Sequence, residues 1–407
     1  MTSRFSSERR DFLRQSLTGL SGLSLAAFPD LGRPESRKFK YGVVGTGFRS
    51  RLAHLPILRD HFPQIEVVAM ADVTPANLAQ GLKIYGNQNT RGYTDYRELL
   101  AKHPDLDAVL VVVPNYLHAE VGIAALESGK NVLTEKPIAT SVADGQRMIA
   151  TAAEHGRALQ VGFQSRYATL YHKAAELIQQ GAIGKLEMVF GCLFRGDWNP
   201  RSWQYTDPAT GKSTNWRFLT RTEGSALLED GIHELDVINW LVGVAPRRIQ
   251  AQGGNSVWLD RETIDNAGVL VEYANGVRLN FGFSIFTPGT DDHSLLRFYG
   301  CEGELSFAED GGKQYVVTQR FRSKAERIEV PHLLPEEEPV WKAATSERLA
   351  SESGASTYRL HQAFLNSVST NSPVFADGHV GLEAARLSLA AEHSLRTGNP
   401  VSWEEPL

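Results

Sequence analysis

A strand that runs into two glycines and then a helix leaves few folds open to this chain. Phe39 to Val44 alternates, turns apolar, and ends in Gly45-Thr46-Gly47-Phe48-Arg49-Ser50. The first glycine suits a tight turn, and the second lets a backbone approach a bulky anion. The third position needs a small residue so that helix and strand can pack; Ser50 fills it, less well than Gly or Ala would. A helix over about Arg51 to Asp60 would then aim its first amides at the anion. The same turn joins strand to helix in proteins that bind nothing, so its surroundings must decide.

Those surroundings repeat a strand–helix rhythm. Glu66 to Ala71 reads as a second strand ending at Asp72, about 25 residues past the second glycine, near the spacing of a ribose-binding acid. A carboxylate there accepts from ribose hydroxyls and repels a 2′-phosphate, and no Arg or Lys follows before Lys83. This favours NAD over NADP. Asp72 could equally cap a helix starting near Thr74-Pro75, and the two roles are compatible. Ala108 to Val113 is apolar throughout, as a strand buried on both faces should be, and it ends at Pro114-Asn115-Tyr116-Leu117-His118. Ligands of such sheets sit outside the carboxyl ends of the strands, which places Asn115 and His118 toward the nicotinamide half. A helix to Ser128, a strand from Asn131 to Thr134, and Glu135-Lys136-Pro137 follow.

This order of motifs closely resembles the Gfo/Idh/MocA oxidoreductases, with Glu135-Lys136-Pro137 at a strand end as the most telling mark. The resemblance continues through Val161-Gly162-Phe163-Gln164-Ser165-Arg166-Tyr167 and Gly181-Ala182-Ile183-Gly184 to Gly398-Asn399-Pro400-Val401. It implies an α/β fold: an N-terminal Rossmann domain, then an α/β domain with a large open, mostly antiparallel sheet whose exposed face makes a dimer in many members. It also implies a cofactor site of Gly45, Thr46, Gly47, Phe48, Arg49, Asp72, Pro114, Asn115, His118, Glu135 and Lys136. Lys136 would sit beside the nicotinamide and the substrate hydroxyl, where a partly desolvated lysine near positive charge gives up its proton more readily. The alternative is a plain ion pair with Glu135.

The substrate side is expected around Glu229-Asp230-Gly231-Ile232-His233-Glu234-Leu235-Asp236. Ile232, Leu235, Ile238 and Leu241 suit a helix pressed on a sheet. In the family an acid stands four residues before the histidine; here Glu229 holds that place, where the family has aspartate, with Asp230 beside it. His233 is the better acid–base candidate, because its ordinary pKa lies near neutrality. Lys136, His233 and Glu229 are therefore the expected catalytic set. Glu229, His233 and Asp236 could alternatively bind a metal, but no fourth ligand is evident by spacing, and no metal is expected. The segment from Arg195 to Thr222 mixes Trp198, Trp203, Tyr205, Trp216 and Phe218 with polar residues. Aromatic faces beside hydrogen-bonding groups suit a sugar; a local packing role for any of these rings is the alternative. Arg166, Trp198, Trp216, Arg217, Asp230 and His233 are the expected substrate contacts, with Arg195 and Asp197 as further donors and acceptors.

The 407 residues suit two domains after a leader. Residues 1–28 read as that leader: Arg9-Arg10-Asp11-Phe12-Leu13 and then a short apolar run resemble a twin-arginine signal. Residues 29–37 read as a linker, 38–160 as the NAD-binding domain and 161–401 as the substrate and oligomerisation domain. The apolar run is short for a membrane span. Export of a folded protein implies a tightly held cofactor and a periplasmic or otherwise external site of action, and a homo-oligomer is expected. A net charge of −5 speaks against nucleic-acid binding. Cys192 and Cys301 could pair outside the cytoplasm or remain thiols.

Downstream, Val269 to Ile285 reads as a hairpin around Asn275-Gly276, and Leu295 to Phe307 continues as strand. Ser323 to Ser353 reads mostly as loop, and Gly381 to Arg396 as a final helix. The expected activity is hydride transfer between a sugar or glycoside hydroxyl carbon and NAD, either as net oxidation or as a redox-neutral cycle of oxidation, elimination or epimerisation, and re-reduction. A non-catalytic sugar- or nucleotide-sensing protein on the same fold is the alternative of another class.

Overall fold

The computed structural model describes residues 38–85, 87, 89–196, 204–206, 211, 213–287, 293–334, 337 and 352–407. The proposed leader and linker, and Asp197, Trp198 and Trp203, lie outside these residues.

Six strands form the first sheet: β1 (Phe39–Val44), β2 (Ile65–Ala71), β3 (Arg91–Tyr93), β4 (Ala108–Val111), β5 (Asn131–Thr134) and β6 (Leu159–Val161). All neighbours are parallel, in the order β3-β2-β1-β4-β5-β6. The order reverses between β1 and β4, and ligands of such sheets bind at that crevice. β4 is buried at every residue, which is why its sequence lacks alternation. Helices α1 (Leu55–His61), α2 (Pro75–Tyr85), α3 (Tyr96–Lys102), α4 (His118–Glu127) and α5 (Val142–Glu154) make the connections. Asp95 and Ser141 cap α3 and α5 by accepting from Arg97 N and Asp144 N.

After α6 (Thr169–Gln179) comes β7 (Leu186–Phe194), then a two-stranded ribbon of β8 (Gln204–Thr206) and β9 (Ser213–Asn215). α7 (Ile232–Val242) precedes β10 (Pro246–Gly254), β11 (Asn266–Tyr273), β12 (Arg278–Ser284), β13 (His293–Gly300), β14 (Gly303–Asp310), β15 (Lys313–Arg320) and β16 (Glu326–Val330). Two helices, α8 (Glu352–Thr370) and α9 (Gly378–Thr397), and the short β17 (Val401–Ser402) close the chain. The second sheet has nine strands in the order β16-β15-β14-β13-β7-β12-β11-β10-β17. Only β7 and β12 pair in parallel; the rest is antiparallel, as expected for this domain.

One face of that sheet is covered. Leu177 of α6, Leu235, Ile238 and Leu241 of α7, and Leu387 and Ala390 of α9 pack on Val189, Val269, Val271 and Phe281. The other face is open: Met188, Phe190, Phe194 and Leu270 are 39%, 42%, 37% and 51% exposed.

The hairpin forms around Asn275-Gly276, with Gly276 in the left-handed region at φ +87°. The segment expected as loop instead contains β16. Only Val330 of that edge strand is buried, so its charges face solvent and no apolar pattern betrays it. α8 was not expected either; its Ala355, Leu360 and Phe364 join Tyr41, Val43 and Leu58 in the first domain's core. The expected boundary at residue 160 falls inside β6, and α9 touches both cores through Ala384 and Leu387. Asp377 caps α9 by accepting from Val380 N, and left-handed Gly398 ends it. Cys192 is a buried free thiol and Cys301 an exposed one. No helix among the described residues is long and apolar enough to cross a membrane.

Candidate active site

The turns after β1 and β5 meet the start of α7 in one cleft. Gly45 has φ +93°, and a Cβ there would stand 2.1 Å from the Val112 carbonyl oxygen, so only glycine fits. Gly47 differs: a Cβ there would meet nothing within 4 Å. Packing within the protein does not require that glycine, whereas close approach of a ligand to its backbone would. Thr46 N and Oγ1 donate to Asp72 Oδ2 at 2.8 and 3.1 Å, and Thr74 N donates to Asp72 Oδ1 at 2.8 Å. Asp72 thus ties the glycine turn to the end of β2 and caps the approach to α2. It stays half-buried, with lone pairs left for a ribose. These residues fit a dinucleotide. Phe48 is exposed at the same turn, while Ser50 is fully buried and its hydroxyl has no partner. From Ser50 to His54 the chain widens into a π-helical turn, a distortion frequent at functional sites.

Arg49 turns back across the crevice. Its Nε donates to Glu135 Oε1 at 2.7 Å and its Nη2 to Gln164 Oε1 at 2.9 Å. Burial opposes a charge on Glu135, but Arg49, His54 and Lys136 together hold its carboxyl well below the usual carboxylate range. The Lys136–Pro137 peptide is cis.

Asn115 and His118, expected at the nicotinamide half, are engaged by the protein itself. Asn115 is buried and its Nδ2 donates to the Glu223 carbonyl at 3.0 Å, linking the two domains. His118 is buried with Nδ1 and Nε2 at 2.6 and 2.8 Å from the carbonyl oxygens of Pro137 and Val113. Buried polar atoms need partners, and these two find theirs in neighbouring backbone. They brace the loops after β4 and β5. Pro114 closes its turn by accepting from Leu117 N at 2.9 Å.

The substrate side begins in a second π-helical turn, Leu227–Gly231, directly before α7. This wide turn rotates less per residue than an α-helix, and Glu229 and Asp230 come to share one arginine. Arg217 Nη2 donates to Glu229 Oε1, and Arg217 Nη1 lies 3.6 Å from Asp230 Oδ2. Arg195 Nη1 donates to Asp230 Oδ1 at 2.9 Å. Lys136 Nζ donates to the Glu229 carbonyl at 2.5 Å and lies 3.0 Å from Glu229 Oε2. Burial opposes the Asp230 charge, but Arg217, Arg195 and Lys136 lower its pKa below the ordinary value. His233 follows on the first turn of α7. Its ring stands edge-to-face with Phe163 at 6.3 Å, and its buried Nδ1 has no partner. Burial, then the charge of Lys136, pushes its pKa down to about 3, so the imidazole is neutral.

Two expected substrate contacts are occupied elsewhere. The buried Arg166 guanidinium makes a two-pronged pair with Asp236, Nε to Oδ2 at 2.8 Å and Nη2 to Oδ1 at 3.0 Å, and stacks near Trp240. It fastens α7 to the loop after β6. Trp216 is buried, with the Arg217 guanidinium 5.5 Å from its ring centre, which makes it part of the local packing. Asp236 being held by Arg166, the alternative metal set has no common centre; among the described residues no group of three or more His, Cys, Asp or Glu could hold a metal.

The sequence reading missed the support beneath Arg217. Asp265 is fully buried and accepts from Ser256, Val257 and Trp258 N at 3.0, 2.7 and 2.7 Å. This folds the loop so that Arg261 Nη2 donates to both Arg217 O and Glu223 Oε2 at 3.0 Å. An Asp and an Arg bracketing a loop was the available signal. His54 and His361 were also missed; 307 residues apart, they bond to each other, and His54 bonds to Glu135.

Comparison with known proteins places these features. The oxidoreductase family with NAD-binding Rossmann fold, Gfo/Idh/MocA, matches residues 39–163, and its C-terminal domain matches residues 171–306. The chain is similar to inositol 2-dehydrogenase of Salmonella typhimurium, 30% identical over 241 residues covering 59% of this chain and 65% of that one. Levoglucosan dehydrogenase solved with NADH and levoglucosan shares the fold with a TM-score of 0.74 at 22% identity, over 90% of this chain and all of that one (100%). Aldose-aldose oxidoreductase from Caulobacter crescentus, solved with glycerol, gives 0.72 at 22% identity over 90% and 100%. With both domains matched and the glycine turn, Asp72 and Lys136 in place, this chain is a member of the Gfo/Idh/MocA oxidoreductases, carrying that family's NAD-binding Rossmann domain.

Proposed function

We propose that this protein moves hydride between NAD and a hydroxyl-bearing carbon of a sugar or glycoside. The observation that carries this reading is the convergence of Lys136, Glu229 and neutral His233 at the carboxyl end of the nucleotide-binding sheet. The similarity to inositol and levoglucosan dehydrogenases supports a polyol or sugar substrate.

NAD, held by Gly45, Gly47, Asp72 and Arg49, would supply the hydride acceptor. The chain's own groups handle the proton. The Lys136 ammonium, steadied by the Glu229 carboxylate and carbonyl, polarises the hydroxyl oxygen. The neutral His233 imidazole accepts its proton as the C–H bond breaks. Arg217 and Arg195 fix the two acids, so that Glu229 acts by holding Lys136. The set of donors and acceptors on these paired charges suits several hydroxyls.

The twin-arginine resemblance leads us to place this reaction outside the cytoplasm with a cofactor that stays bound. A second copy would cover the open sheet face around Phe190, Phe194 and Leu270, giving a homo-oligomer. The test mixes NAD-loaded protein with a panel of sugars and glycosides, following reduced-nicotinamide absorbance and product mass. A lasting absorbance signal supports net oxidation. Altered mass without it supports the redox-neutral cycle. Neither, with any compound, contradicts the proposal and favours a sensing role.

A further inference from the structure

We infer that His361, on α8, is a positioning residue for the cofactor site, acting through His54 and Glu135 on Arg49 and Lys136.

Glu135 Oε1 takes Arg49 Nε at 2.7 Å and His54 Nε2 at 2.8 Å, and Oε2 accepts from Lys136 N at 3.2 Å. An ionised carboxylate only accepts, so His54 carries its proton on Nε2 and presents a lone pair at Nδ1. His361 Nε2 lies 2.9 Å from that lone pair and must be the donor. The proton of neutral His361 is then on Nε2, and its Nδ1 is a bare lone pair. That atom is buried and has no hydrogen-bond partner. Every proton position from the carboxylate to α8 follows from the one before it. Both rings are buried, which lowers the pKa of each and keeps them neutral.

Packing alone does not call for a histidine here. His361 stands against Phe62 at 5.9 Å and the His54 ring at 5.1 Å, where an apolar ring would serve without the cost of an unpartnered nitrogen. The bond to His54 is the one polar interaction His361 makes through its side chain among the described residues. Without it, His54 Nδ1 becomes a buried acceptor with no donor, and the ring is free to turn away from Glu135. Glu135 then loses one of two strong partners on Oε1, and with it the fixed position from which it holds Arg49 at the glycine turn. This arrangement resembles the outer hydrogen bonds that orient a metal-ligating imidazole, where loss of the outer partner weakens the inner site.

The test uses the full chain with NADH as probe, so it does not depend on knowing the sugar. His361→Phe keeps a ring and removes the donor; His361→Gln keeps an N–H of similar reach. NADH affinity is read by fluorescence titration, melting temperature alongside it, and the His54 Nδ1 environment by imidazole 15N NMR. The expected result is about a tenfold weaker Kd in His361→Phe, with the His54 Nδ1 resonance moved toward that of an unbonded nitrogen, and recovery of both in His361→Gln. Should His361→Phe not fold, His361→Met replaces it. Unchanged NADH affinity in the donor-less variant overturns the inference. So does equal loss in both variants in step with their melting temperatures. Failure of every sugar to react would defeat the proposed reaction and leave this result standing.

Discussion

Lys136 and Glu229 join the two domains at one point: the ammonium nitrogen is 3.0 Å from the carboxylate and 2.5 Å from the carbonyl of the same glutamate. Lys136 follows a strand of the first sheet and Glu229 precedes the helix of the second domain, so their distance measures how the domains are set. Both side chains are nearly buried. The pair therefore holds its geometry far better than a surface pair would.

Removing the ammonium should stop the chemistry without emptying the cofactor site. Lys136→Met is expected to lower kcat by roughly 10²–10⁴-fold, the range of a positioned proton-handling group, while NADH still binds. Glu229→Gln leaves Lys136 without its anion and Arg217 with Asp230 alone, and should lower kcat less, with recovery in Glu229→Asp only if the shorter side chain still reaches Lys136. Steady-state kinetics with any reactive sugar, beside NADH titration, reads both.

The two glycines of the turn should respond differently. Gly45→Ala forces a Cβ into the Val112 carbonyl at positive φ and should prevent stable folding. Gly47→Ala meets no atom and should change stability by less than about 0.5 kcal/mol, yet weaken NADH binding markedly. Melting temperature and fluorescence titration separate the two outcomes.

Arg166 and Asp236 offer a stability test. Asp236→Ala leaves a buried guanidinium unpaired and should cost about 3–5 kcal/mol, whereas Arg166→Met with Asp236→Leu should cost much less. Urea unfolding of both single variants and the double variant measures the coupling.

His172 should make the protein acid-sensitive. It packs edge-on to Trp240 at 5.2 Å and beside Phe375 at 5.9 Å, and burial pushes its pKa down to about 4. A histidine depressed in the folded state is protonated more readily when unfolded. Its contribution is full above the ordinary value near 6.5 and is lost as pH falls toward 4. His172→Phe should flatten the decline of melting temperature between pH 6.5 and 4; an unchanged profile would assign the acid sensitivity to His233 and the other buried histidines.

The nucleotide half was legible because its signals are local. Gly45, Gly47 and Asp72 act within a few residues of a strand end, and β4 announces its burial by composition. The substrate half was legible only as a set of residues. Which arginine meets which acid depends on the π-helical turn at Leu227–Gly231 and on where the chain brings Arg195 and Arg217, and neither leaves a mark in the spacing. Arg166 illustrates the limit: a polar residue beside a site motif reads as a ligand contact, and only the fold reveals Asp236 waiting for it. His361 is further still from prediction, since its partner precedes it by most of the chain. β16 escaped because an exposed edge strand has no buried face to pattern.

Hydride transfer at this site is tested by following the hydride itself. Full-length protein with bound NAD is mixed with sugars deuterated at their hydroxyl-bearing carbons, quenched in acid within one turnover, and the nicotinamide is weighed by mass spectrometry. Deuterium on the nicotinamide, abolished in Lys136→Met, is the predicted result for net oxidation and for the redox-neutral cycle alike. A sugar that binds and is never a source of deuterium for the nicotinamide, across the whole panel, would contradict hydride transfer at this site.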